Sequence, residues 1–156
     1  MSSIASIRRA TRADARAISE ICHTEIEYEL PPRWSTLRVE RTLRRPDTNA
    51  YICLCNEQLI GFTIARFGQS QMHLLLHAVS PTMRCRGLGR QLLQWQIDAA
   101  TVAGLAEARL EVRAANTVAR TFYRKLSFEA YQLIPRYYYN REDAICMRRS
   151  PIYRKS

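Results

Sequence analysis

Between an apolar run ending at Val79 and a long amphipathic segment stands Arg84-Cys85-Arg86-Gly87-Leu88-Gly89-Arg90. Glycines flanked by arginines, set where a strand hands over to a helix, make a cradle for a phosphorylated ligand. The first turn of a helix has backbone N–H groups without intrahelical partners. Its dipole leaves roughly half a positive charge at that end, so an anion is welcome there. Glycine lets the backbone come close to the phosphate and tolerates positive φ. The same residues also suit an ordinary glycine turn ahead of a helix, and context must decide. A second reactive group is Glu111, on a strand whose Leu110 and Val112 point the opposite way. Apolar neighbours raise a carboxyl pKa, so Glu111 is expected to move toward general-base range. The alternative is a surface glutamate paired with Arg109 or Arg113. Tyr123, about two helical turns beyond Asn116, either packs in the core beside Phe122 and Leu126 or turns its hydroxyl to a ligand.

The elements that must position these residues are legible from periodicity. Ile4–Arg9 reads as a short strand, and Thr11 with Asp14 as a capping box opening a helix that fades near Glu27–Leu30. Ser35 caps a second helix running through about Arg44. Tyr51–Leu54 and Leu59–Phe67 form a hairpin turning at Asn56-Glu57, and Met72–Val79 is a strand leading into the glycine loop. Gly87–Ala103 is an amphipathic helix stopped at Gly104. Ala108–Val112 is a buried strand, Asn116 caps a helix over Thr117–Leu126, and strands at Phe128–Ile134 and Asp143–Met147 follow. The expected architecture is α/β: a mixed central sheet of about six or seven strands flanked by about four helices, in the order β-α-α-β-β-β-α-β-α-β-β.

A chain of 156 residues without a linker or repeat suggests a single domain over 1–156. No apolar run approaches the ~20 residues of a membrane helix, and the N-terminal residues carry no signal-like apolar stretch, so a cytoplasmic protein is expected. Cys22, Cys53, Cys55, Cys85 and Cys146 are scattered, without C-x-x-C pairs. They read as reduced thiols rather than metal ligands. Lysine occurs only at Lys125 and Lys155, so the net charge of +10 is nearly all arginine, whose planar fork binds oxyanions. The arginines are spread along the chain, which favours a solvated surface plus an anionic cofactor over a nucleic-acid partner.

The element order, the loop as Arg84-x-x-Gly87-x-Gly89, and the block Leu110-Glu111-Val112-Arg113-Ala114-Ala115-Asn116 resemble the GNAT acyl-CoA N-acyltransferases. Phe122-Tyr123, Leu126-Ser127-Phe128, Arg136-Tyr137-Tyr138 and Arg141-Glu142-Asp143-Ala144-Ile145 are similar to the bacterial RimI subgroup of that family. The resemblance runs from about His77 to Met147 and implies a GNAT fold with acetyl-CoA as cofactor. It implies that Arg84, Cys85, Arg86, Gly87, Leu88, Gly89 and Arg90 hold the pyrophosphate. His77, Ala78 and Val79 would pair with the pantetheine arm, Asn116 would hydrogen-bond it, and a strand N–H near Val79 would polarise the carbonyl. Glu111 would be the base, and Tyr123 the acid for the departing thiolate.

The implied reaction is direct transfer to a primary amine, foremost a protein or peptide N-terminus such as that of a ribosomal protein. Acetylation of a small amine (a polyamine or an aminoglycoside) and a non-catalytic acyl-CoA- or RNA-binding module are the alternatives. Glu25, Glu27 and Glu29 form an acidic cluster suited to a basic peptide, and Tyr137 and Tyr138 suit a wall of the acceptor groove. Three departures from the subgroup's pattern stand out. Ser127 occupies a glycine position, His77 an aliphatic one, and the stretch from Tyr138 to Arg141 is short.

Overall fold

Along Gln71–Val79 the residues Met72, Leu74, Leu76 and Ala78 alternate inward, as a strand with one buried face requires. This pattern recurs through the computed structural model, which describes residues 5–83 and 87–153. The strands are β1 (Ala5–Arg9), β2 (Thr48–Cys55), β3 (Gln58–Phe67), β4 (Gln71–Val79), β5 (Glu107–Arg113), β6 (Glu129–Tyr138) and β7 (Glu142–Arg149). The helices are α1 (Ala15–Ile21), α2 (Thr36–Leu43), α3 (Leu88–Val102) and α4 (Thr117–Lys125). The seven strands are ordered β1-β2-β3-β4-β5-β7-β6, and the element order is the expected one. The described residues group into two compact units, one drawn from Met1–Arg66 and Leu76–Gln96, the other from Phe67–Leu75 and Ile97–Ser156. No described helix is long and apolar enough to cross a membrane.

In the first unit β1, β2 and β3 form an antiparallel meander. The β2–β3 turn places Asn56 and Glu57 at φ 52° and 64°, the left-handed pair that matches the twist of a two-residue hairpin. Tyr51, Cys53, Cys55, Ile60, Val79, Leu88 and Leu92 form one buried cluster, so the paired cysteines of β2 serve as small apolar residues. Gly61 makes this packing possible, because a Cβ there would lie 3.1 Å from the Ala78 carbonyl oxygen and 3.3 Å from Leu92 Cδ1. The fully buried Gln96 of α3 donates to the carbonyls of Asn49 (2.8 Å) and Thr63 (3.3 Å) and accepts from Asn49 Nδ2 (3.0 Å). A buried amide satisfied in this way fixes how α3 lies on β2 and β3.

The helical entry of the first unit follows the capping box closely. Asp14 Oδ2 accepts from the Thr11 N–H at 2.7 Å, and both its oxygens take the Arg8 guanidinium at 2.9 and 3.0 Å. After α1 the chain continues as a π-helical turn over Cys22–Ile26, so the helix fades near the expected point but with a wider winding. Ser35 caps α2 by accepting from the Arg38 N–H at 3.2 Å.

In the second unit β5 runs parallel to β4 from Gln71↔Glu107 to Leu74↔Leu110, and antiparallel to β7 from Ala108↔Arg149 to Arg113↔Ala144. A parallel neighbour demands a crossover connection, which α3 supplies. Ala108, Leu110 and Val112 are buried on one face of β5, while Glu107, Arg109 and Glu111 line the other. The β6–β7 hairpin turns tightly at Tyr139 and Asn140, φ 55° and 56°, with the Arg141 N–H donating to the Tyr138 carbonyl at 2.9 Å. Both strands are longer than expected from the sequence, because the exposed residues of β6 mask its alternation. Ser127, at the glycine position after α4, sits at φ 67°.

Candidate active site

The second unit places Glu111 between two hydrogen-bonding side chains rather than in an apolar pocket. It follows directly after the last paired position of the β4–β5 ladder. Its Oε2 lies 2.6 Å from His73 Nε2 of β4, and its Oε1 accepts from the Tyr137 hydroxyl of β6 at 3.1 Å. Neither neighbouring arginine is its partner: Arg109 pairs with Glu107, and Arg113 with Glu142 at 2.5 Å.

The expectation that apolar neighbours raise the Glu111 pKa is corrected. Burial does push it up, but the His73 hydrogen bond and charge, aided by Tyr137, outweigh burial and hold the carboxyl below its ordinary value. Glu111 is thus an ionised carboxylate with both oxygens engaged. Since an ionised carboxylate only accepts, Nε2 of His73 must carry the hydrogen.

Tyr137 shows the reciprocal effect. Burial and the Glu111 carboxylate push its hydroxyl up to about 12, so it stays protonated and donates. Tyr138, ring to ring with Tyr137 at 4.9 Å, is shifted upward by burial and then by Tyr137, Glu111 and Tyr123. The two tyrosines assigned to an acceptor wall therefore stand beside the carboxylate. Tyr123 is the buried residue of α4, packed edge-on against Phe122 (5.1 Å) and Phe128 (5.7 Å). Burial raises its pKa strongly, which keeps a proton on the hydroxyl. Asn116 caps α4, its Oδ1 accepting from the Ala119 N–H at 3.0 Å.

In the first unit, Arg84, Cys85 and Arg86 of the glycine loop lie outside the described residues. Gly87 has φ +75°, a value that favours glycine, and a Cβ there would meet nothing within 4 Å. It precedes the first turn of the 15-residue α3, with Leu88 buried and Arg90 exposed. An open helix N-terminus behind a left-handed glycine, with an arginine on the rim, fits a pyrophosphate. His77, Ala78 and Val79 close β4, the latter two buried. Burial pushes the His77 imidazole down to about 4, opposed by a backbone hydrogen bond at Gly89. The unusual histidine is therefore a neutral packed ring tied to the first turn of α3.

The acidic cluster divides. Glu27 is buried, its carboxylate accepting from the backbone N–H groups of Arg33 (2.6 Å) and Trp34 (3.3 Å). The surface position expected of it is corrected: the carboxylate is buried and bonded to two loop amides. Glu25 is half-buried, and Glu29 is exposed at φ 62°. The residue that sequence reasoning missed is His73. Strand alternation puts it on the face away from Met72 and Leu74, and only the β4–β5 register brings it to Glu111.

The sequence pattern of the acetyltransferase (GNAT) family matches residues 13–128. The chain belongs to the GNAT family. Enzymes of this family take their acetyl group from acetyl-CoA. Among relatives, the GNAT chain is 37% identical over 95 residues to the [ribosomal protein bS18]-alanine N-acetyltransferase of Escherichia coli K12, covering 59% of this chain and 64% of that one. It is 32% identical over 146 residues to the N-alpha-acetyltransferase RimI of Mycobacterium tuberculosis, covering 89% and 88%. It spans 33% of a Mycobacterium leprae protein to which it is 35% identical over 127 residues. The crystal structure of the E. coli ribosomal-protein-S18-alanine N-acetyltransferase superposes with a TM-score of 0.81 at 28% identity, covering 95% of this GNAT chain and 94% of that one. Ard1 from Thermoplasma volcanium, at 23% identity and TM-score 0.84 over 94% and 97% of the chains, shares the fold.

Proposed function

We propose that this GNAT protein transfers an acetyl group from acetyl-CoA to the α-amine of a protein or peptide N-terminus, by direct transfer, with Glu111 as base and Tyr123 as acid. The observation that carries the reading is the Glu111 carboxylate, kept ionised and oriented by His73 and Tyr137. An α-ammonium has a pKa of about 7.7–8.0, so it is largely protonated at neutral pH and must lose a proton before it attacks. A weak base in a fixed position suffices for that, because the ammonium is itself a ready proton donor.

When bound, acetyl-CoA supplies the acetyl group as an activated thioester. Gly87, Leu88, Gly89 and Arg90, with Arg84, Cys85 and Arg86, hold the pyrophosphate, while His77, Ala78, Val79 and Asn116 serve the pantetheine arm. Glu111 takes one proton from the ammonium, and the freed lone pair forms the new N–C bond as the C–S bond breaks. Tyr123 gives its hydroxyl proton to the departing sulfur and regains one from the new amide nitrogen. Glu25 and Glu29 offer carboxylates to a basic acceptor, and Tyr137 and Tyr138 wall its entry.

Support for an N-terminal acceptor comes from the E. coli and M. tuberculosis relatives, an alanine N-acetyltransferase and an N-alpha-acetyltransferase. For the E. coli protein that acceptor is an alanine of a ribosomal protein. A ribosomal-protein N-terminus is accordingly the first acceptor to try. The described cysteines, all free and buried, suit a reducing cytoplasm.

The deciding experiment measures thiol release from acetyl-CoA with three acceptors: a peptide starting with alanine, the same peptide already α-acetylated, and a polyamine. The proposal expects release with the first and none with the second. Release with the polyamine alone would replace it by a small-amine acetyltransferase. No release with any acceptor, together with salt-dependent RNA retention, would favour the binding module.

A further inference from the structure

His73 stands on β4, where its partner in the ladder is Arg109, yet its ring reaches diagonally along β5 to the next outward residue, Glu111. The contact, 2.6 Å, is slightly shorter than the about 2.7–2.9 Å usual for a charge-assisted N–H···O hydrogen bond. Both side chains are partly open to solvent, 37% for His73 and 20% for Glu111. A pair so exposed adds little to stability, so its consequence lies in what it does to the carboxylate.

We propose that His73 is a positioning residue for the acetyl transfer, holding the Glu111 carboxylate aimed and ionised through the Nε2–Oε2 hydrogen bond. The inference rests on the reading of Glu111 as the base.

The geometry divides the work at Glu111. His73 occupies Oε2 and Tyr137 occupies Oε1, so the carboxylate is pinned from two strands and cannot rotate. Each oxygen retains a second lone pair, which is where an incoming ammonium would donate. Other groups face Glu111 as well. Tyr131, Tyr137 and Tyr138 approach from β6 and Cys146 from β7, and Arg109 shares its strand. Arg109 is bound by Glu107. The tyrosines and the cysteine have pKa values shifted upward, so they stay neutral through the working range. The imidazole is therefore the donor that, with Tyr137, offsets the burial of this carboxylate.

The test compares wild type with His73→Leu, His73→Gln and Glu111→Gln. Protein labelled with ¹³C at the glutamate carboxyl is titrated by NMR, the Glu111 signal being assigned by its loss in Glu111→Gln. In parallel, kcat/KM is followed against pH with acetyl-CoA and an alanine-initiated peptide. In His73→Leu the Glu111 midpoint is expected to move to higher pH, the acid limb of kcat/KM to move with it, and kcat to fall about tenfold or more. His73→Gln, which keeps a donor without charge, is expected to give an intermediate midpoint and recover part of kcat. It keeps the test open should the leucine variant unfold. An unchanged midpoint and an unchanged acid limb in the folded histidine variants, with Glu111→Gln inactive, overturns the role of His73 alone. Wild-type turnover by Glu111→Gln removes the base assignment, and the His73 proposal falls with it.

Discussion

Tyr137 donates its hydroxyl hydrogen to Glu111 at 3.1 Å, so the β6 rim and the central carboxylate are joined by a hydrogen bond spanning 26 residues of sequence. The bond helps hold Glu111 ionised and keeps a half-exposed aromatic ring beside the carboxylate. Tyr137→Phe keeps the ring and removes the donor. We expect kcat/KM to fall roughly three- to tenfold, in line with the ~0.5–1.5 kcal/mol of an ordinary hydrogen bond, with cofactor affinity unchanged. Steady-state kinetics of the variant and calorimetric binding of coenzyme A check both halves.

Glu27 is a structural carboxylate of the loop after the π-helical turn. Glu27→Ala leaves the backbone amides of Arg33 and Trp34 without that acceptor, at a cost of about 1–3 kcal/mol. Denaturant unfolding should show this as a lower midpoint with an unchanged slope. Were Glu27 an acceptor-binding residue instead, the peptide KM would rise with stability intact.

Ser127 carries φ 67°, a left-handed conformation that costs a residue with a Cβ about 1–2 kcal/mol. Glycine relieves that strain but adds its own chain entropy. Ser127→Gly is therefore expected to stabilise the fold by about 0.5–1 kcal/mol, read as a higher Tm. A lower Tm would mean that the serine side chain contributes more than the strain it brings.

Much of the fold was legible because its signals are local. The capping box at Thr11 and Asp14, the Ser35 and Asn116 caps, and the left-handed turn at Asn56-Glu57 each act over a few residues. The site was legible in its types but less so in its environment. Glu111 was readable as an outward carboxylate, whereas its partner came from strand register, which period-two alternation cannot supply. The direction of its pKa was misread for the same reason, since burial was visible in sequence and His73 was not. Glu27 was misread because a charge run looks solvated until one member is found bonded to backbone amides.

His77 gives the fold a pH dependence whose sign follows from burial. Its folded pKa is lowered to about 4, against about 6.5 for an unfolded histidine. In that window the unfolded chain binds the extra proton, so stability is lost as pH falls from about 6.5 to about 4, by roughly 3 kcal/mol. In His77→Ile this contribution should vanish, leaving a flatter stability curve over the same range. Urea unfolding of both proteins at pH 4.5, 5.5 and 7 measures the difference.

The central claim is that Glu111 and Tyr123 do the proton chemistry of acetyl transfer. It is tested most directly by thiol release from acetyl-CoA with an alanine-initiated peptide, comparing wild type, Glu111→Gln and Tyr123→Phe at matched coenzyme A occupancy. The account predicts turnover lower by about 10²–10⁴-fold in each variant, with coenzyme A dissociation constants close to wild type. Equal turnover in all three proteins would contradict it.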